Sequence, residues 1–358
     1  MHIAWKPGVV STLAALLITA SVAFAQSGAP PAAPPAAPAP PTSLAPPPSA
    51  AGSAPSAPAA PAVAPTPPAA PAPPPSPVTG IRNKISAGDL LSAESILEVH
   101  RAKNGEDGPW LTGLSWLARG ALLVGDTEKA GRYASQVRAS CADRMARGAE
   151  LETDHDLEIA YGAAIEVEAQ RIERTKGVPR AAEYLRGELA QVRGPVPLIA
   201  RLNKRLNMLA LTGQPAPELV IEDFVGSPPP TLASLRGKPL LLFIWYEGCG
   251  DCKAQAAALA HAKSRSDARG LQMVALTRYY EDGPDRTREK AQVDSVWKTV
   301  YADLGTVPIV ISTASMERYG GSSTPTFVFV DRAGIVRRYT PTRLTEAELD
   351  RTLEALAH

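Results

Sequence analysis

The sequence predicts two folded parts in series: an all-α region of helical hairpins over residues 80–212, then an α/β domain built on one central sheet over residues 213–358. Three observations carry that expectation. Between residues 81 and 213 the chain is rich in Ala, Leu, Glu and Arg, with short glycine-containing breaks and few β-branched runs, a pattern of helices joined by tight turns. At Gly213 it changes to prolines and turn residues, followed by the apolar run "PLLLFIW" at 239–245, which reads as a buried strand. Beyond that run, helix, strand, helix, hairpin and closing helix follow in order, the layout of an α/β domain.

Ahead of both parts stands a leader of different character. Residues 1–25 hold one lysine, Lys6, then an uncharged apolar run from Val9 and the A-x-A pattern Ala23-Phe24-Ala25, and are read as a secretory signal peptide. An uncleaved anchor is the competing reading, but the run of about 17 residues is short of the roughly 20 that a spanning helix needs. No cysteine follows it to carry a lipid. Export to the cell envelope or periplasm puts the chain where disulfides form and persist. Residues 26–79 read as a disordered Pro/Ala-rich linker, with 21 prolines among the 48 residues 30–77 and no charge between Lys6 and Arg82. Proline fixes φ and removes donors, so this stretch forms a polyproline-II-like tether of at most about 150 Å, serving as a spacer or as a solubilising leader. A net charge of +1 gives no reason to expect nucleic acid as a partner.

Within the helical region Leu90, Ala93, Ile96, Leu97 and His100 fall at helical spacing, as do Leu114, Leu117, Ala118 and Ala121, and then Ala130, Ala134 and Val137. "GDLLSAESIL" from Gly88 and "GDTEKAGRYA" from Gly125 are Gly-Asp turns entering helices 37 residues apart. That period resembles the second helix of a tetratricopeptide repeat, and a weaker third unit starts at Gly177. Most aromatic positions of the motif are absent, so the region is read as a degenerate helical-hairpin stack. Such stacks offer a concave surface for a protein client, or else serve as a cap or dimerisation element.

In the α/β domain a helix is expected from about residue 249 to 263, then a strand at "LQMVALT" and a polar helix around "DRTREKAQVDSVWKTVYADLG". "TPTFVFV" and "GIVRRYT" form a hairpin about Asp-Arg-Ala-Gly, and the closing helix takes Thr345 as its N-cap. Cys249 and Cys252, spaced C-x-x-C, stand between the buried strand and the helix. There the first sulfur meets unsatisfied backbone N–H groups and the positive end of the helix dipole, which favour a thiolate, and the second is one turn away to close a disulfide.

With "APELVIEDFVGSPPPTLASLRGKP" leading in, "LLLFIWYEGCGDCK" around the cysteines and "YGGSSTPTFVFVDRAGIV" later in the chain, residues 213–358 resemble the TlpA/ResA-like envelope thiol-disulfide oxidoreductases, which have the thioredoxin fold. The resemblance implies that Cys249 is the attacking thiol and Cys252 the resolving one. It implies that Thr324 and Pro325, the latter with a cis bond, shape the groove for the substrate's mixed disulfide, and that Trp245 packs beside the site. It further implies a disulfide-bonded protein substrate, an upstream thiol donor, no cofactor and, mainly on this ground, the reductase direction. Three positions depart from the pattern. Gly248 stands where tryptophan is usual, leaving the lip less aromatic and more open. Phe243 stands where thioredoxins place a buried acid, and Gln255 where some relatives carry a glutamate. Glu247 and Asp251 are the nearest carboxylates in sequence that could move protons for Cys252, and otherwise are solvated loop charges. Asp251 opposes a Cys249 thiolate, while Lys253 favours it.

Rival readings fit less well. A peroxidatic cysteine normally follows Thr or Ser by three residues, and here Tyr246 holds that place. Lys253 breaks the haem pattern C-x-x-C-H, and zinc would want a second ligand pair where the chain offers only the distant Cys141. "TDHD" at 153–156 could seed a metal site but reads by default as a polar loop. Cys141 is expected to be a buried apolar residue, the alternative being a disulfide partner. The other class of function left open is a non-catalytic interaction or metal-carrier module, with the helical part binding a client and the dithiol structural or regulatory.

Overall fold

The computed structural model describes residues 76–281, 283 and 285–356; the expected signal peptide and residues 26–75 of the expected linker lie outside the described residues. Helix α1 (Pro77–Ser86) begins three residues before the boundary set from composition, because Pro77 suits a first helical turn and Ser76 Oγ accepts from Val78 N at 3.3 Å. It is followed by α2 (Leu90–Asn104), α3 (Gly108–Leu123), α4 (Thr127–Ala146), α5 (His155–Lys176), α6 (Val178–Gln191) and α7 (Val196–Ala210).

Both Gly-Asp turns are present and work alike. Asp89 Oδ1 accepts from Ser92 N at 3.0 Å to start α2, and Asp126 Oδ1 accepts from Lys129 N at 2.8 Å to start α4. The apolar residues singled out by spacing are buried, Ile96 only partly; His100 instead turns to Asp107 at 2.8 Å. Asp154 caps α5 through Leu157 N, and Asp156 accepts from Thr112 Oγ1 at 2.6 Å, so the "TDHD" loop is spent on helix capping and packing. Among the described residues no group of three metal-ligating side chains forms, and no helix is long and apolar enough to cross a membrane. Cys141 is fully buried, and burial pushes its thiol up to about 12.

The α/β domain is one mixed six-stranded sheet in the order β1-β4-β3-β2-β5-β6. Its strands are β1 (Asp223–Val225), β2 (Leu240–Ile244), β3 (Gln272–Thr277), β4 (Ile309–Ile311), β5 (Thr326–Val330) and β6 (Val336–Thr340). β2, β3 and β4 are parallel, and β1, β5 and β6 run antiparallel to their neighbours. β2 is buried throughout because it is central and covered on both faces. Leu241 and Phe243 face one core, and Leu240, Leu242 and Ile244 face the other. The first core is closed by α8 (Gly250–Lys253), α9 (Ala256–Asp267), α10 (Arg286–Val300) and α12 (Glu346–Leu356); the second is closed by α11 (Thr313–Arg318), which packs against α7. Strands β1 and β4 and helix α11 were not expected from the sequence. The single helix expected over 249–263 is broken at Ala254-Gln255, where the Gln255 side chain turns inward to bond both the carbonyl and the N–H of Leu344. Thr345 does cap α12: Thr345 N donates to Glu348 Oε2 at 2.9 Å and Glu348 N returns to Thr345 Oγ1 at 3.3 Å, a reciprocal capping box.

The helical and α/β parts are packed together within one compact unit. Leu211 joins the second core of the sheet, and Gly213 N donates to Val336 O of β6 at 2.7 Å. Asn207 Nδ2 donates to Arg318 O at 3.1 Å, and Lys204 Nζ to Ser323 Oγ at 2.9 Å.

Candidate functional site

β2 ends at Ile244, and the next residues make the turn that delivers Cys249 to the start of α8. Cys249 is the N-cap residue of that helix, and its Sγ accepts from Cys252 N at 3.0 Å, the helix-terminus donor expected to stabilise negative charge on this sulfur. Cys249 is partly exposed, whereas Cys252 is fully buried in the first core beside Trp245. The two are joined as a disulfide with Cα atoms 5.3 Å apart.

Across from the pair, the loop 319–325 brings Thr324 O to 3.5 Å from Cys249 Sγ, and the Thr324–Pro325 bond is cis. A residue 75 positions away thus lies against the accessible sulfur. Trp245 is fully buried and packs on Trp297 and Tyr301, with ring centroids 5.2 and 5.3 Å away. Phe243 sits below, stacked on Phe327 at 5.4 Å, so the place of a buried acid is filled by an aromatic layer.

The two carboxylates near the pair differ sharply. Asp251 is exposed and lies 3.4 Å from Arg343, as a solvated loop charge would. Glu247 is not solvated: it is 4% exposed, and its Oε2 is buried without a hydrogen-bond partner among the described residues. Burial first, and then the like charges of Glu289 and Glu281, push its carboxyl above the ordinary range, opposed only by a backbone hydrogen bond and by Lys253. Glu289 is itself buried, accepting from the backbone N–H groups of Tyr280 and Glu281.

The lip of the site is aromatic despite Gly248. A Cβ at Gly248 would come within 2.6 Å of the Tyr246 ring, which packs at a tilt of 45° against Tyr280 with 4.3 Å between centroids. Tyr246 therefore occupies the space beside Gly248, correcting the expectation of a less aromatic, open lip. Gln255 is tied to Leu344 and is only 2% exposed, so it serves packing. Tyr246 and Tyr280 were missed in the sequence, although Tyr246 lies within the quoted run around the cysteines.

A mixed sheet flanked by helices, a C-x-x-C pair at a helix start and a facing cis-proline together define a thioredoxin-like α/β domain, preceded here by an all-helical region. Residues 211–353 match the Redoxin family model. Solved structures similar to this chain include a putative thiol:disulfide interchange protein DsbE from Chlorobium tepidum, 19% identical over 41% of this chain and 98% of that one, with a TM-score of 0.33. A secreted Mycobacterium tuberculosis disulfide oxidoreductase is 23% identical over 35% of this chain and 86% of its own, with a TM-score of 0.28. An exposed lipoprotein thioredoxin from Streptococcus pneumoniae is 22% identical over 35% and 90%, with a TM-score of 0.30. No curated protein matches the chain.

Proposed function

We propose that the chain is an exported thiol-disulfide oxidoreductase of the TlpA/ResA-like type that reduces protein disulfides through Cys249 and Cys252. The observation that carries this reading is the partly exposed Cys249 sulfur, held by Cys252 N at 3.0 Å and facing Thr324 O beside cis-Pro325 at 3.5 Å. A thiolate there is both stabilised and accessible from a groove that an extended substrate can enter.

In the reduced chain the Cys249 thiolate attacks one sulfur of the substrate disulfide. A bond forms between the two sulfurs, and the substrate's other sulfur leaves as a thiolate. The Cys252 thiol loses its proton and attacks Cys249 Sγ, releasing the substrate as a dithiol and leaving the Cys249–Cys252 disulfide. Two electrons have passed to the substrate, and an upstream thiol donor restores the dithiol. Glu247 is proposed as the proton acceptor for Cys252, because it is the buried carboxylate two residues before Cys249 and burial raises its affinity for a proton above that of an ordinary glutamate. Asp251, exposed and near Arg343, is left to tune the potential.

Reduction of insulin, compared among the wild type, Cys249→Ser and Cys252→Ser, tests this reading. Activity in the wild type that is lost in both variants is expected; equal rates in all three would defeat it. Equilibration with glutathione sets the direction, with a potential near about −270 mV expected for a reductase and one near about −120 mV marking an oxidant instead.

A further inference from the structure

One cavity of about 160 Å3 lies where the helical region meets the α/β domain, walled by Val196 and Ala200 of α7 on one side and by Tyr246, Tyr280, Arg278 and Thr324 on the other. Thr324 also lies against Cys249 Sγ, so the cavity continues the groove at the reactive sulfur. Its volume is below the roughly 300–1,000 Å3 of sites that enclose a cofactor or drug-sized ligand, and is of the order of one amino-acid side chain.

The α7 wall is held in place. Lys204 Nζ donates to Ser323 Oγ at 2.9 Å and Asn207 Nδ2 to Arg318 O at 3.1 Å, tying α7 to both ends of the segment that leads into Pro325. Between them Gly320, at φ +68°, lets its backbone meet that of Lys204; a Cβ there would collide with the Lys204 backbone. The lining is mainly aliphatic and aromatic, with Met316 behind it, and Arg278 is its one charged residue among the described residues. That guanidinium lies 4.1 Å over the Tyr280 ring and donates to Tyr279 O at 3.2 Å, so its face is already occupied.

We infer that this cavity is a specificity pocket, shared between the two parts of the chain, for an apolar side chain flanking the substrate cysteine that joins Cys249. The inference rests on the thiol-disulfide reading above and adds to it that α7 helps choose the substrate. An extended segment pinned at its cysteine beside Thr324 places its neighbouring residues within reach of the cavity, and an apolar side chain there replaces water against Val196, Ala200 and Met316.

Three short peptides test it, each with one cysteine in mixed disulfide with glutathione and flanked on both sides by Leu, Ser or Asp. Their second-order rate constants with the pre-reduced full chain are compared with that for a small aromatic disulfide, 5,5′-dithiobis(2-nitrobenzoate). The Leu peptide is expected to exceed the Ser peptide by about tenfold, the lower end of what an apolar pocket discriminates. Val196→Trp, which fills the cavity, is expected to lower the ratio of the Leu-peptide rate to the small-disulfide rate by about tenfold and to abolish the preference. Equal rates for Leu and Ser peptides on the wild-type chain, a preference for Asp, or a preference that survives Val196→Trp would each overturn the inference while leaving the redox reading standing. A wild-type chain that reacts with neither the peptides nor the small disulfide removes both.

Discussion

Glu247→Gln should make the chain more stable and less active at once. The substitution keeps the shape and removes the charge of a side chain that is 4% exposed and has one carboxylate oxygen without a hydrogen-bond partner among the described residues. A buried unsatisfied acceptor costs about 1–3 kcal/mol, and more when charged. Because the folded-state pKa is raised above 4.5, the group contributes fully to stability below the unfolded value and loses that contribution as pH rises through the folded one. Each unit of that difference is worth about 1.4 kcal/mol. At pH 8 the Gln variant is therefore expected to be more stable by about 1–3 kcal/mol, and at pH 4 to differ little. Urea unfolding at both pH values reads the difference as a shift in midpoint at constant slope. In the kinetic arm, resolution of a mixed disulfide at Cys249 should slow by about 10²-fold at pH 7, the lower range for a lost general base, and recover as rising pH ionises Cys252 unaided. If Glu247→Gln lowers stability at pH 8, the carboxylate is compensated in the fold and the electrostatic argument fails; if resolution keeps its wild-type rate, the proton role fails separately.

Further outcomes follow from individual contacts. Gly320→Ala puts a Cβ against the Lys204 backbone at a positive φ, a conformation that alone costs about 1–2 kcal/mol, so the melting temperature should fall by roughly 2–8 °C; an unchanged melting curve would deny that α7 and the loop before Pro325 are in contact. Gly248→Ala should cost about 1 kcal/mol by pushing Tyr246 off Tyr280, and the cost should vanish in a Tyr246→Ala background, a coupling that additive single effects would rule out. Cys141, buried with its thiol pushed up to about 12, should resist maleimide at pH 7.5 in the folded chain and react in urea, whereas stoichiometric labelling without denaturant would contradict its burial.

What the sequence made legible was whatever depended on local pattern. The run at 239–245 became the central β2, and the alternation between two cores along it follows from strand geometry once both faces are covered. The two Gly-Asp turns announced α2 and α4 because glycine and an N-capping aspartate act within a few residues of themselves. β1 and β4 were not legible because each is three residues long and is fixed mainly by its partner: Phe224 pairs with Val310, and Val310 in turn with Leu276. A strand that short carries too little periodicity to be distinguished from a loop.

The candidate site divides along the same line. The cysteine spacing is local, and Thr324-Pro325 could be joined to it through the resemblance, but which way a turn residue points is decided by elements far away in sequence. Glu247 and Asp251 stand four residues apart and were indistinguishable as loop carboxylates. Asp251 lies on the outer face of α8 near Arg343, while Glu247 is enclosed on the side where Glu289 of α10 and the Tyr280 backbone pack. Likewise Gly248 stands where the resembled family usually has tryptophan, and the space beside it is filled by the ring of Tyr246 from a different backbone position, which position-by-position comparison cannot reveal. The loss of the acid at Phe243 and the gain of a buried acid at Glu247 have the same form. If both exchanges are compensations, the proton route and the aromatic lip were moved together onto the two residues, 246 and 247, that follow Trp245. Tyr246→Ala with Gly248→Trp should then restore the lip from its usual position and keep the stability that Gly248→Trp alone loses, whereas equal instability of the single and double variants would show that the space beside Tyr280 accepts a ring only from Tyr246.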